Sequence, residues 1–144
     1  MKFKVKASGM PNTGLHSAKV HSVEETTSTG DYKTPQLKVV FVPTNSEEKW
    51  IITRWYNLRG YQHDEHGSVK MKNNLPVESV EHTEICFDIL GRHAYRMGLE
   101  IGDVDASAMI GCTCGIQVEP KDGDPSKVEV SGVISNEKLA ELTA

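Results

Sequence analysis

The sequence has few cysteines and no long apolar run, and both absences limit what the chain can be. Three of its 144 residues are cysteine, an odd number that argues against a disulfide framework and suits a reducing cytoplasm. No apolar stretch approaches the ~20 residues that a transmembrane helix needs. The first nine residues are basic at their start but lack the apolar segment of a secretory signal. We therefore expect a cytoplasmic protein that does not enter the membrane.

The sequence also lacks the motifs that mark common enzymes. It has no Gly-x-Ser-x-Gly nucleophile elbow, no glycine-rich phosphate loop before a helix and no His-Glu-x-x-His motif. Asp103 and Asp105 have the spacing of metal ligands, but near a helix end such residues more often solvate a turn. We expect neither a catalytic site nor a cofactor.

Charge is distributed unevenly along the chain, whose net charge is −4. Residues 1–48 carry six bases and five acids, residues 49–72 five bases and two acids, and residues 73–144 five bases and thirteen acids. An acidic total disfavours strong, non-specific binding to duplex DNA, since phosphate neutralisation supplies most of that affinity. The basic middle still allows a local groove for a single strand.

Two β-type runs dominate that middle region. Residues 35–42 and 49–58 are rich in β-branched and aromatic residues, alternate with polar positions and are separated by a turn cluster at residues 43–46. This pattern predicts an antiparallel hairpin. Its second run holds both tryptophans of the protein.

Alternation within the second run predicts its two faces. Because arginine is rarely fully buried, the outward positions are expected to be Trp50, Ile52, Arg54 and Tyr56. The core positions are then Ile51, Thr53 and Trp55. Aromatic residues in strands are more often core than binding surface, but alternation cannot bury all three rings of this run. At least one exposed ring is expected.

Shorter patterns predict the remaining strands. A first short strand would contain Phe3 and Val5. The next runs from Gly14 to Glu24 and carries a β-bulge, because its apolar parity slips between Val20 and Val23. Two later strands occupy residues 110–118 and 128–134 and flank a hairpin loop. Residues 59–84 form a long insertion with room for a small hairpin at residues 68–72.

Helical periodicity appears once at length, over Ile85–Leu99. We expect Thr83 as its N-cap, and the apolar stripe consists of Phe87, Leu90, Gly91, Ala94 and Met97. One helical turn is expected at residues 105–108. Ser135 is expected to cap a short helix over residues 135–144.

The element order predicts the fold. Leaving the N-terminal strand aside, five short strands with one helix between the third and fourth match the five-stranded Greek-key barrel called the OB-fold, here mainly β and with the long insertion after strand 3. We expect a single domain over residues 1–144. OB-folds bind oligonucleotides on strands 2 and 3 and the adjacent loops, which is where the aromatic, basic hairpin lies.

Ordered sequence pieces strengthen this interpretation. They are Gly14, the run Pro35-Gln36-Leu37-Lys38-Val39-Val40-Phe41, the aromatic residues 50–58, Ala94-Tyr95-Arg96-Met97-Gly98-Leu99 and Met109-Ile110-Gly111. In this order, over residues 14–134, they resemble a family of phage and prophage single-stranded DNA-binding proteins. The resemblance implies an OB-fold and binding of single-stranded DNA in replication or recombination. Proteins of those processes and further copies of the chain are also expected as partners.

The expected binding residues combine ring stacking with phosphate contacts. They are Lys38, Trp50, Arg54, Tyr56, Arg59, Tyr61, Lys70 and Lys72. Two alternatives stay open. In the first, the same barrel serves as a protein-interaction module. His63 and His66 with Cys112 and Cys114 suggest zinc, but the two cysteines alternate onto the apolar face of a strand, which favours small core residues.

Overall fold

A bulged strand and a hairpin form the first half of the main sheet. The computed structural model of the protein describes residues 1–3, 9–30 and 32–144, with the backbone but not the side chain of Pro125. The strands are β1 (Gly14–Thr27), β2 (Pro35–Pro43) and β3 (Ile52–Asn57). Both neighbouring pairs are antiparallel, which confirms the predicted hairpin. The predicted N-terminal strand falls largely on residues 4–8, outside the described residues, and Phe3 is exposed.

The bulge in β1 lies where the sequence predicted it. The register against β2 shifts between Val20 and Ser22. Val20 is fully buried before the shift and Val23 packs against the core after it, so the extra residue, His21, keeps both valines on the inner face. This is the parity slip that a β-bulge produces.

The insertion after β3 is more ordered than the predicted loop. It contains four two-residue strands: β4 (Gly60–Tyr61), β5 (Met71–Lys72), β6 (Leu75–Pro76) and β7 (Glu78–Ser79). β4 pairs with β7, and β5 pairs with β6 around Asn73-Asn74. The small hairpin therefore exists, but it is centred a few residues later than predicted. We call residues 62–77, which extend from the β4–β7 pair, the arm.

The long helix, α1 (Val80–Arg96), begins five residues before the predicted start. Its N-cap is Ser79, whose hydroxyl accepts from the His82 amide, so the prediction of Thr83 as the cap is wrong. The apolar periodicity was a poor guide to this end, because the first turns of α1 are exposed. The predicted stripe is also only partly buried: Ala94 and Met97 belong to the core, whereas Phe87 is half exposed.

The C-terminal part completes the sheet. A 3₁₀ turn (Ala106–Met109) precedes β8 (Thr113–Lys121) and β9 (Asp124–Ile134), which pair around a tight turn, and α2 (Asn136–Thr143) ends the chain with Ser135 as its N-cap. The turn, the hairpin and the terminal helix were all predicted, with boundaries shifted by a few residues.

The protein is mainly β, with 42% strand and 21% helix. Its main sheet is antiparallel and has the order β3-β2-β1-β8-β9. In the described part of the chain no backbone ladder joins the edge strands β3 and β9, so the sheet is not a closed barrel. The edges still approach each other, because Arg54 Nη1 of β3 donates to the carbonyl oxygen of Val130 in β9 at 2.8 Å.

The core lies on the side of this sheet that α1 contacts. Its largest fully buried side chains come from four strands: Phe41, Leu37, Ile116, Val20, Val39, Val118 and Val133. α1 packs Ala94 and Met97 against this cluster. Each such large apolar side chain stabilises the fold by about 1.5–3 kcal/mol through burial. Over the residues described, neither helix has the length and apolarity needed to cross a bilayer.

Candidate functional site

The two faces of β3 are the reverse of those predicted. Trp50, just before the strand, is 8% exposed and Tyr56 only 3%, whereas Trp55 is 52% exposed. Ile52 is buried and Ile51 is exposed as well. The prediction that Trp50, Ile52, Arg54 and Tyr56 face outward is therefore wrong. The expectation of one exposed ring is confirmed, and that ring belongs to Trp55.

Arg54 explains the error, because it lies on the inner face without being fully buried. Its guanidinium extends to the sheet edge, where Nη1 bonds to Val130, and its Cζ lies 4.6 Å from the centre of the Tyr56 ring. Its Nε is buried and has no hydrogen-bond partner among the described residues. Arg54 thus links the two edge strands and does not present its charge on an open surface.

Tyr56 and His93 form a second polar contact inside the protein. The Tyr56 hydroxyl lies 2.6 Å from His93 Nδ1. Burial raises the pKa of Tyr56 well above its ordinary value, although Arg54 opposes the shift. Burial, reinforced by Arg54 and Arg96, lowers the pKa of His93 to about 4. Both groups are therefore neutral at pH 7, and the histidine tautomer decides whether the phenol donates to Nδ1 or the Nδ1–H donates to the phenol oxygen. This contact joins β3 to α1.

The outer face of the main sheet presents a different set of groups. Trp55 lies opposite Lys38 of β2, and Lys38 in turn lies opposite Glu24 of β1. These three side chains form one row across the sheet, since cross-strand partners point to the same side. The row combines a large half-exposed ring with a cation beside it.

Polar and apolar groups continue this face on both sides of the row. Gln36 and Asn57 pair across the strands, and the Gln36 amide donates to Asn57 Oδ1 at 2.8 Å. Thr53 lies two residues before Trp55 on the same face, and Ile51 is 49% exposed. We call the set Gln36, Lys38, Ile51, Thr53, Trp55 and Asn57 the outer patch. It offers stacking surface, one positive charge and amide donors and acceptors.

Two other predicted site residues anchor the insertion. Arg59 Nε lies 3.0 Å from Glu78 Oε1. The Tyr61 ring is buried, and its hydroxyl lies 3.0 Å from Thr34 Oγ1. Gly60 between them packs so closely on His82 that a Cβ at this position would overlap it. These residues fix the base of the arm on α1 and on the β1–β2 loop.

The last two predicted residues, Lys70 and Lys72, lie on the arm and are exposed. The structure therefore divides the predicted site among four places. Lys38 lies on the outer patch. The inner side of β3 and the base of the arm hold Trp50, Arg54, Tyr56, Arg59 and Tyr61. The arm holds the two lysines.

The sequence did contain a signal for the correct facing. Among residues 50–58, the even-numbered positions carry four apolar or aromatic side chains and one arginine, whereas the odd-numbered positions 49–57 carry two apolar ones. A count of apolar side chains would have placed the even-numbered positions inside. A single arginine was given too much weight, because a long side chain can start inside and end at an edge.

The residues suggested for zinc do not assemble into a site. Among residues 1–3, 9–30 and 32–144, no group of three or more His, Cys, Asp or Glu is placed to hold a metal ion. Cys114 is fully buried, and burial, with Cys112 nearby, raises the pKa of its thiol to about 12. Cys112 packs against the core. Both cysteines act as the small core residues that the alternation favoured.

Comparison with models of known protein families and with curated proteins gives no match for this chain. The likeness to phage single-strand binders therefore stays a prediction, and the function has to be argued from the geometry.

Proposed function

We propose that the protein binds single-stranded DNA, with little sequence preference, on the outer patch. The observation that carries the proposal is the half-exposed Trp55 ring beside Lys38 on the outer face of the sheet. Bases expose a flat apolar face only when they are unpaired, and an aromatic ring on a sheet is the usual platform for them. Lys38 lies directly opposite that ring, so its charge is suited to contact the phosphate of a stacked nucleotide.

The fold supports the same proposal. The order β3-β2-β1-β8-β9, with α1 inserted between β3 and β8, is the strand order expected of an OB-fold. The edge strands of such a sheet must meet, and Arg54 spans them here. We propose a partly open OB-fold, whose strands 2 and 3 carry the ligand face. The outer patch lies on β2 and β3 and directly before β3.

The charge of the patch predicts how binding responds to salt. Lys38 is its one cation, and Glu24 lies in the same row. Stacking on Trp55 is therefore expected to supply most of the affinity, about 1–3 kcal/mol per stacked base. Each phosphate contact to a single strand adds a slope of about 0.7 to the fall of log affinity with log salt. A single phosphate contact, and hence a slope of about 0.7, is expected. A protein with a basic groove would show a much steeper slope.

The direct test is a fluorescence-anisotropy titration of a labelled oligo(dT) at low and moderate salt, with a duplex of the same length as the matched control. Binding of the single strand that weakens slightly with salt, and no comparable binding of the duplex, is the expected result. Equal binding of both would point to general electrostatic attraction. No binding of the single strand at low salt would overturn the proposal.

The cellular setting belongs to the same proposal. A cytoplasmic role in replication or recombination would expose the protein to single strands, and the three cysteines of the chain, all free, suit a reducing compartment. The competing possibility, a protein-interaction module, gains support from a different surface on α1.

A further inference from the structure

A large groove lies along the C-terminal half of α1, bounded by residues 98–104 and the start of α2. Its volume is about 1170 Å³, above the ~300–1,000 Å³ of ordinary small-molecule sites. Its lining includes large apolar side chains that solvent reaches: Phe87, Tyr95, Ile101 and Val104, with Ile101 91% exposed. Apolar groups clustered in this way mark an interaction site for another chain segment. We call this surface the α1 groove.

Acidic groups surround the α1 groove. Asp88, Glu100 and Glu137 line it. The bases in the lining are Arg92 and Arg96, but Arg96 Nη1 already donates to the carbonyl oxygen of Val133 at 3.0 Å. The C-terminal half of the chain, from residue 73 on, carries thirteen acids and five bases. The occupant that fits this groove has an exposed apolar side chain flanked by lysines.

The arm of the same protein has this composition. Leu75 is 67% exposed and lies directly across the β5–β6 pair from Lys72. Lys70 points to the same side of the hairpin as Lys72, because alternate residues of a strand share a face. Asn73 and Asn74 have φ values of 53° and 62°, which is the two-residue turn that keeps a hairpin tight. One hairpin of the arm thus presents Leu75 opposite Lys72, with Lys70 on the same side. The two acids of the arm, Asp64 and Glu65, lie in a separate turn, where Asp64 Oδ1 accepts from the amides of His66 and Ser68.

The positions of the two surfaces suggest that they meet between copies. The arm is anchored at the start of α1, where Gly60 packs on His82 and β4 pairs with β7. The α1 groove begins at Phe87 and extends beyond the end of the helix. We propose that the arm of one copy docks in the α1 groove of a second copy. The contact joins two different surfaces, so it is heterologous and generates a chain or a ring of copies.

The test uses two variants that each remove one surface. Leu75→Glu places a charge on the arm, and Ile101→Glu places one in the groove; both positions are exposed, so the fold is expected to persist. Light scattering after size exclusion, without nucleic acid, should show a mass for the wild type that rises with concentration. Each variant alone should run as the 15.9 kDa monomer.

Mixing the two variants gives the decisive result. Leu75→Glu keeps an intact groove and Ile101→Glu an intact arm, so the mixture should form a dimer that grows no further. Met71→Glu is the matched control on the arm, because Met71 is half exposed but points to the opposite side of the hairpin from Leu75. It should assemble like the wild type.

Charge reversal provides a second readout. Lys72→Glu should raise the dissociation constant of assembly at least tenfold. Mixing the Lys72→Glu protein with a Glu100→Lys protein should restore part of the lost affinity. The proposal is overturned if the wild type stays monomeric over a 100-fold range of concentration that reaches its solubility limit. It is also overturned if the mixture of the two variants remains monomeric. Trp55→Ala should assemble normally, so failure here is distinguishable from failure of DNA binding.

Discussion

The two faces of β3 differ in chemistry although they share one short strand. The inner face ends in a polar cluster, in which Arg54 spans to Val130 and Tyr56 contacts His93. On the outer face, Trp55 is 52% exposed and Thr53 is partly exposed. Arg54 Nη1, the Tyr56 hydroxyl and His93 Nδ1 all have hydrogen-bond partners inside the fold, whereas the buried Arg54 Nε has none among the described residues. The outer groups keep their surfaces available to a ligand.

The difference separates stability from binding. A residue type alone did not indicate the role, because each face has an aromatic ring and a cation beside it. The neighbours decide: the inner pair, Tyr56 and Arg54, contacts α1 and β9, whereas Trp55 and Lys38 lie on the outer face of the sheet. Substitutions on the two faces should therefore affect different measurements.

The largest effect is expected from Tyr56→Ala. It removes a buried ring and leaves His93 without its partner, so the free energy of unfolding should fall by about 3–5 kcal/mol. Urea denaturation with an unchanged m-value measures the loss. Trp55→Ala is the matched control and should cost less than about 1 kcal/mol. Similar losses for both variants would show that the two faces are not distinct.

The second prediction concerns pH. The pKa of His93 is lowered from 6.5 to about 4 in the folded protein. Between pH 6.5 and about pH 4, His93 is therefore protonated in the unfolded chain but not in the folded one. The free energy of unfolding should therefore fall as pH drops through this window, by on the order of 2–3 kcal/mol. The contribution of His93 should level off below about pH 4.

The control for this prediction compares how substitution of two histidines changes the pH dependence of stability. His93→Gln should remove that part of the pH dependence, whereas His66→Gln, at an exposed position of the arm, should leave it unchanged. An unaltered pH profile in His93→Gln would show that His93 is not the group responsible.

The third prediction is a loss of DNA binding on the outer face. Trp55→Ala should weaken binding of oligo(dT) by about 1–3 kcal/mol, because a stacking platform is removed. Ile51→Ala, at the margin of the outer patch, should cost less. Anisotropy titration at one salt concentration gives both values, and equal affinity of Trp55→Ala and wild type would exclude the ring from the site.

The smallest effect is expected from single charges. Lys38→Gln should reduce the slope of log affinity against log salt by about 0.7. Lys70→Gln, on the arm, is the matched control and should leave the slope as it is. A larger change for Lys70 than for Lys38 would move the phosphate path from the sheet to the arm.

Much of the fold followed from local patterns. The bulge between Val20 and Ser22, the hairpin of β2 and β3, the β8–β9 turn and the Ser135 cap all depend on neighbouring residues, and all were predicted. The start of α1 was missed because exposed first turns have no apolar period. There, capping by Ser79 sets the boundary.

The candidate site was less predictable, because it depends on which side of a strand the rest of the chain covers. Lys38 lies on the outer face, and a count of apolar side chains over residues 49–58 would have indicated the facing of Trp55. The elements that cover the inner face, α1 and the β9 edge, lie far from Trp55 in sequence. The interior role of Arg54 requires the carbonyl of Val130, 76 residues away. No pattern within residues 49–58 contains that partner.

The central claim is that Trp55, and not Trp50, meets the bases. The most direct measurement is tryptophan emission during titration with oligo(dT) in two variants, Trp50→Phe and Trp55→Phe, each of which keeps one tryptophan. The account predicts strong quenching where Trp55 remains and little change where Trp50 remains. Quenching of the Trp50 emission alone, or of neither, would contradict it.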